Sequence, residues 1–91
     1  MKKKEFVAKV SEKLGVSAAQ ASRIVDAVVD VVTDALARHD SVSLQGFGTF
    51  EVRERAARIG RNPRTGEAVE IAASKYPAFK PGKLLKDAVH P

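Results

Sequence analysis

Residues 46 to 66 read GFGTFEVRERAARIGRNPRTG, and this stretch decides the fold. It begins with two phenylalanines among glycines and ends in a basic segment that surrounds Pro63. From Arg53 to Glu67 the only apolar side chains are two alanines, Ile59 and Pro63. A two-stranded ribbon with so little apolar surface to bury is not stable alone in water. We therefore expect an arm that projects from the folded body and stays mobile until an anionic partner orders it.

Positive charge is concentrated in this arm. The chain has 16 Lys and Arg against 11 Asp and Glu, a formal net charge of +5. Five of its seven arginines fall within twelve residues, and Glu54 is the only acid among them. They are Arg53, Arg55, Arg58, Arg61 and Arg64. Such clustering is typical of a site for a polyanion, so it favours nucleic acid as the partner.

The tip of the arm is predicted at Asn62-Pro63-Arg64-Thr65. Asn at the first position and Pro at the second favour a type I turn, and Gly66 can adopt positive φ directly after it. The turn would connect two strands of a ribbon and leave Pro63 at the outer end.

Two helices precede the arm. Apolar residues at helical spacing predict the first over about 3–14, with Gly15 as the left-handed residue that ends it. The second is predicted over about 18–38, beginning at a capping box formed by Ser17 and Gln20. Its apolar stripe is Ala21, Ile24, Val25, Val28, Val32, Ala35 and Leu36, widened by Val29 and Val31.

This apolar arc covers on the order of half of the second helix, which is more than a simple amphipathic face. The short first helix cannot cover all of it, so a partner subunit is the simplest source of the missing packing. The opposite face carries Asp26, Asp30 and Asp34. Phosphates would repel these aspartates, so the second helix is not expected to read DNA as a recognition helix does. We interpret the aspartates as solvated rather than as a metal site.

Beyond residue 40 the pattern changes to that of strands. Three are predicted, near 42–45, 49–58 and 68–75. The chain would then return to the body at YPAF, residues 76–79, and a short third helix would follow at about 82–89. One domain is expected from 91 residues, without cysteine or a membrane-spanning apolar run. We expect a soluble intracellular protein that uses no cofactor or metal.

The segment from Gly46 to Gly66 closely resembles the HU/IHF family of bacterial histone-like DNA-binding proteins. The resemblance extends over essentially the whole chain, including the tail PAFKPGKLLKDAV, and is more similar to HU than to IHF. It implies an α+β fold with two N-terminal helices, a three-stranded antiparallel sheet with a long β-ribbon arm, a short C-terminal helix and an intertwined homodimer. In these terms residues 1–91 form one domain, with a helical dimerisation base at 1–40, a saddle at 41–52 and 76–91, and the arm at 53–75.

The resemblance also implies which residues act. Pro63 corresponds to a wedge that enters the base stack, and Asn62 lies beside it. The arm arginines correspond to residues that meet phosphates and the groove. Lysines that could flank the saddle are Lys3, Lys75, Lys80, Lys83 and Lys86. The implied dimer interface comprises Val28, Val32, Leu36, Leu44, Phe47, Phe50 and Phe79.

The function implied is that of an architectural protein, not an enzyme. It would bind double-stranded DNA in the minor groove with little sequence specificity, bend it, and compact the bacterial chromosome in the cytoplasmic nucleoid. Nicked, gapped or kinked DNA would be preferred, and a paralogue could replace one copy in a heterodimer. Two alternatives stay open, a sequence-specific IHF-like bender and an RNA-binding protein. An enzyme is disfavoured because the two histidines have no acid or serine nearby in a recognisable arrangement.

Overall fold

The computed structural model describes residues 1–90; Pro91, the last residue of the predicted domain, lies outside them. The chain divides into two compact units, one formed by Met1–Ala35 and one that begins at Leu36. None of the helices in the described residues is long and apolar enough to cross a membrane.

The two predicted N-terminal helices are confirmed. Helix α1 spans Lys3–Leu14, and helix α2 spans Ala18–Ala37. Gly15 ends α1 in the left-handed conformation, with φ of 67°, and its N–H donates to the Ser11 carbonyl over 2.9 Å. The Ser17 hydroxyl accepts a 3.1 Å hydrogen bond from the Gln20 N–H, which satisfies one free donor at the start of α2.

The second unit contains five strands and a short helix. Strands β1 (Val42–Leu44), β2 (Gly48–Arg55) and β5 (Ser74–Pro81) form an antiparallel sheet in the order β1-β2-β5. Strands β3 (Arg58–Arg61) and β4 (Ala68–Ile71) form a separate antiparallel ribbon. Helix α3 spans Lys83–Val89 and begins one residue later than predicted, with Gly82 as its N-cap. The predicted three-stranded sheet with a β-ribbon arm and a C-terminal helix is therefore confirmed.

The predicted bounds of the second and third strands were wrong. The second strand, predicted over 49–58, stops at Arg55 and resumes at Arg58, and the returning strand is interrupted between Ile71 and Ser74. Each gap consists of two consecutive alanines, at 56–57 in one strand and at 72–73 in the other. Alanine has low strand propensity and offers little side chain for cross-strand packing, which explains why pairing lapses there on both sides.

The predicted end of the third strand at residue 75 was wrong as well, because YPAF, residues 76–79, lies inside β5. Prolines at 77 and 81 disfavour a strand in the sequence, since proline has no N–H to donate. In the structure β5 is an edge strand, where a missing donor toward the open side leaves the ladder intact.

Gly48 lets β2 and β5 approach closely. A Cβ atom at this position would lie 2.5 Å from the Lys80 carbonyl oxygen and 2.6 Å from Cζ of Phe79. Any larger residue would push the two strands apart or displace the Phe79 ring. The glycine therefore fixes the packing of Phe79 against the start of β2.

The apolar core of the single chain is small. Within residues 1–90 only Val7, Ala21 and Ala35 are buried apolar residues, and all three belong to the first unit. Three phenylalanines of the second unit, Phe47, Phe50 and Phe79, contact one another, but none of them is fully buried. Much of the apolar surface that the sequence provides is thus not covered within one chain.

Candidate nucleic-acid interface

The three-stranded sheet has one polar and one apolar face. Side chains alternate between faces along a strand, and paired residues share a face. Thr49 pairs with Lys80, and Arg53 pairs with Tyr76, whereas Phe50 pairs with Phe79 and Val52 with Pro77. The first face, hereafter the polar face, carries Ser43, Thr49, Glu51, Arg53, Arg55, Ser74, Tyr76, Ala78 and Lys80. The other is the apolar face.

Arg53 and Arg55 are held at the end of the polar face by neighbouring side chains. The Nε of Arg53 donates to the Glu51 carboxylate over 3.2 Å. This hydrogen bond, together with the charge of Glu51, raises the pKa of the Arg53 guanidinium above its ordinary value. The guanidinium carbon of Arg55 lies 4.7 Å from the centroid of the Tyr76 ring, a cation–π contact. Both arginines are exposed and permanently charged.

The β3–β4 ribbon presents its arginines in two directions. Arg58 pairs with Ile71, and Arg61 pairs with Ala68. Arg58 and Arg61 are three positions apart along β3, so their side chains emerge on opposite faces of the ribbon. All of β4 is exposed, and so are both arginines. The ribbon therefore offers positive charge on both sides of a thin structure.

The ribbon tip is a turn fixed by short hydrogen bonds. The Gly66 N–H donates to the Asn62 carbonyl over 2.7 Å, which closes a five-residue turn, one residue wider than the predicted type I turn. The Asn62 side-chain oxygen accepts from the Arg64 N–H at 2.9 Å, and Arg61 donates to the Gly66 carbonyl at 3.0 Å. Pro63 is exposed at the outer end. Asn62 thus shapes the turn that displays Pro63.

The predicted lysines lie in different surroundings. Lys80 is on the polar face, and Lys83 and Lys86 are exposed on α3. Lys75 pairs with Glu54, so it lies on the other face from Arg53 and Lys80. In the first unit, Nζ of Lys3 forms a 2.7 Å ion pair with Asp26, one of the three aligned aspartates. Lys75 is thus the predicted DNA contact that the sheet register sets on the other side from Arg53.

The predicted interface residues expose apolar surface. Phe50 and Phe79 have ring centroids 4.8 Å apart, and Phe47 lies 5.1 Å from Phe79. Phe47 and Leu44 are each 43% exposed, and Val28 on α2 is 55% exposed. Val32 and Leu36 are half-buried. Each unit thus leaves apolar side chains open on its surface, which is characteristic of a surface that another chain covers.

Comparison with known proteins decides the family. Residues 1–90 match the family described as bacterial DNA-binding protein. The chain belongs to this family. Members of the family bind DNA as structural proteins rather than as enzymes, so the prediction that the chain is not an enzyme is confirmed.

Relatives named HU are similar over nearly the full length of the chain. DNA-binding protein HU of Geobacillus stearothermophilus is 62% identical over 89 residues, which cover 98% of this chain and 99% of the relative. An Anabaena HU–DNA cocrystal structure is 46% identical, with a TM-score of 0.91, and the alignment covers 100% of this chain and 99% of the other. HU from Thermotoga maritima is 31% identical, with a TM-score of 0.69 over 98% of both chains. The predicted likeness to HU is confirmed.

Two residues of the polar face were missing from the sequence-based prediction. Glu51 precedes Arg53 by two residues, and the strand period of two could have indicated that they share a face. Tyr76 could not be found in this way, because its contact with Arg55 depends on the register between β2 and β5. The misplaced bounds of β5 concealed that register.

Proposed function

We propose that this chain is an architectural DNA-binding protein that acts as a homodimer, binds duplex DNA in the minor groove with little sequence specificity, and bends it. The observation that carries the proposal is the continuous supply of exposed arginines. Arg53 and Arg55 end the polar face, and Arg58, Arg61 and Arg64 follow on a thin ribbon. The Anabaena relative, whose structure is described as an HU–DNA cocrystal, supports DNA as the partner.

The small core supports the homodimer. Three buried apolar side chains in the described residues, two of them alanines, give little hydrophobic stabilisation to a chain of this length. A second copy that covers Val28 and its neighbours on α2, together with the phenylalanines of the apolar face, would supply the missing burial. The interface would consist of Val28, Val32, Leu36, Leu44, Phe47, Phe50 and Phe79.

The arginines would supply affinity that does not depend on sequence. Each phosphate that an arginine neutralises releases condensed counterions, which lowers log K by about 0.9 per decade of salt and per contact on duplex DNA. The minor groove presents a degenerate pattern of hydrogen-bonding groups, so arginines there respond to groove width and potential more than to base identity. A ribbon with arginines on both faces fits between two phosphate backbones.

Pro63 would supply the bend. Proteins such as HU and IHF, which shape DNA through its minor groove, insert apolar wedges that unstack a base step. Pro63 is exposed at the end of a hydrogen-bonded turn, and proline brings a rigid apolar ring without an N–H that would be left unpaired. Bending a 20–30 base-pair site costs on the order of 1–6 kcal/mol. Nicked, gapped or kinked DNA needs less of this energy, so we expect it to bind more tightly.

Binding of this kind also accounts for a role on the chromosome. A protein that bends DNA at almost any sequence can act at many places along a genome, and repeated bends shorten its path. We therefore propose that the chain compacts and organises the bacterial chromosome and is located with the nucleoid.

Comparison of Pro63→Ala with Arg58→Ala tests whether Pro63 mainly supplies the bend and the arginines mainly supply the affinity. Affinity is measured by salt titration on a mixed-sequence duplex, and bending by energy transfer between dyes at the duplex ends. We expect Pro63→Ala to reduce the bend with a small loss of affinity. We expect Arg58→Ala to reduce affinity and to make the salt slope shallower by about 0.9 for each copy of the chain in the dimer that contacts a phosphate through Arg58. If Pro63→Ala bends DNA as fully as the parent does, the wedge role is wrong.

A further inference from the structure

Glu51 is the only acidic residue on the polar face of the three-stranded sheet in the described part of the chain. Its carboxylate accepts the Nε–H of Arg53 at 3.2 Å, and the two side chains are 30% and 44% exposed. The pair lies at positions i and i+2 of β2, so the strand itself keeps the two groups on one side. Solvent can reach both groups.

The same strand carries a second glutamate in a different place. Glu54 is the residue after Arg53, pairs with Lys75, and lies on the other face of the sheet. Both glutamates carry the same charge and lie within three residues of each other along β2. A general electrostatic effect of an acid near DNA would involve both, whereas direct occupation of Arg53 involves Glu51 alone.

We propose that Glu51 limits DNA affinity by holding the Arg53 guanidinium in competition with phosphate. The inference rests on the proposed function, in which the polar face and the ribbon contact DNA. A carboxylate and a phosphate are alternative acceptors for the same guanidinium donors, and both form charge-assisted hydrogen bonds with it. A phosphate that takes the Nε donor of Arg53 must displace Glu51, whereas one that takes only the Nη donors binds with the negative carboxylate still beside it.

The competition has two measurable consequences. First, when Arg53 binds a phosphate, the Glu51 carboxylate stays on the same face, whether displaced or still bonded to Nε, and repels the DNA. Secondly, the Arg53 guanidinium is already partly neutralised by Glu51, so it contributes less to counterion release when it binds DNA. The salt dependence of binding is therefore shallower than the number of arginines suggests. The ribbon arginines Arg58, Arg61 and Arg64 do not share this restraint, since none of them forms an ion pair with a carboxylate of the described residues.

The test compares Glu51→Gln with Glu54→Gln, two variants with the same change of charge on the same strand. Binding to a mixed-sequence duplex is measured by fluorescence anisotropy across a salt series. We expect Glu51→Gln to bind about two- to fivefold more tightly at low salt, in keeping with the strength of an exposed ion pair. We also expect its log–log salt slope to be steeper by up to about 0.9 for each copy of the chain in the dimer. Glu54→Gln is expected to change the affinity less and to leave the slope unchanged.

Repeating the binding measurements in a chain that carries Arg53→Gln isolates the role of Arg53. If Glu51 acts through Arg53, Glu51→Gln adds no affinity in a chain that also carries Arg53→Gln, so the double-mutant cycle shows coupling. Thermal unfolding of each variant confirms equal folding before binding is compared. The inference is overturned if the two glutamate variants give the same affinity and slope, or if the gain from Glu51→Gln persists without Arg53. A parent chain that binds no duplex DNA would instead contradict the proposed function, and the inference with it.

Discussion

Phe50 and Phe79 lie directly opposite each other on β2 and β5, with their ring centroids 4.8 Å apart. If a second subunit covers this pair, replacing Phe79 by alanine costs about 3–5 kcal/mol, as for a buried phenylalanine. Urea unfolding at two protein concentrations measures the loss. Ile59→Ala, at a ribbon position that is 76% exposed, is the control and is expected to cost less than about 0.5 kcal/mol. Equal costs for the two variants would show that Phe79 is not covered.

Gly48 is predicted to tolerate no side chain. Its Cβ would meet the Lys80 backbone and the Phe79 ring, so Gly48→Ala is expected to lower the free energy of unfolding by about 1–3 kcal/mol. Gly15→Ala is the matched control: it also has positive φ, but no atom lies within 4 Å of its added Cβ. Thermal unfolding is expected to show the larger loss at Gly48. A larger loss at Gly15 would mean that backbone conformation, rather than the close approach of the strands, determines the cost.

His39 offers a site for stabilisation. It has φ of 57° just beyond α2, and its N–H donates to the Leu36 carbonyl over 2.9 Å. A left-handed conformation costs a residue with a side chain about 1–2 kcal/mol, and glycine avoids this cost. His39→Gly is therefore expected to raise the free energy of unfolding by about 1 kcal/mol, while His39→Ala leaves it nearly unchanged. No gain in melting temperature for the glycine variant would contradict this explanation.

The exposed stripe of α2 is predicted to lie in the dimer interface. Val28→Asp would place an unpaired charge in an apolar contact, so we expect the dimer to dissociate at micromolar concentration, with loss of folded protein. Thr33→Asp adds the same charge on the other side of the helix and is expected to leave the dimer intact. Sedimentation of the parent and both variants measures the oligomeric state. A folded, monomeric parent would contradict the proposed dimer.

The sequence predicted the helices and the arm well because their signals are local. Gly15 and the capping residue Ser17 mark helix ends within a few residues of chain, and the lack of apolar side chains after Arg53 marks the ribbon. The strand bounds near 56–57 and 72–77 depended on cross-strand pairing and on which strand lies at the edge, and neither is encoded locally. For the same reason the sequence indicated Arg53 and Arg55 but not their partners Glu51 and Tyr76. Tyr76 reaches the polar face beside Arg55 only through the pairing register of β2 with β5.

The central claim is that exposed arginines bind duplex DNA without regard to its sequence. The most direct test is the affinity of the parent protein for two unrelated mixed-sequence duplexes, measured by anisotropy across a salt series. We expect both duplexes to give nearly equal dissociation constants. We also expect log K to fall linearly with log salt by about 0.9 for each phosphate neutralised, with several phosphates per dimer. An affinity that does not change with salt, or strong binding to one duplex alone, would contradict it.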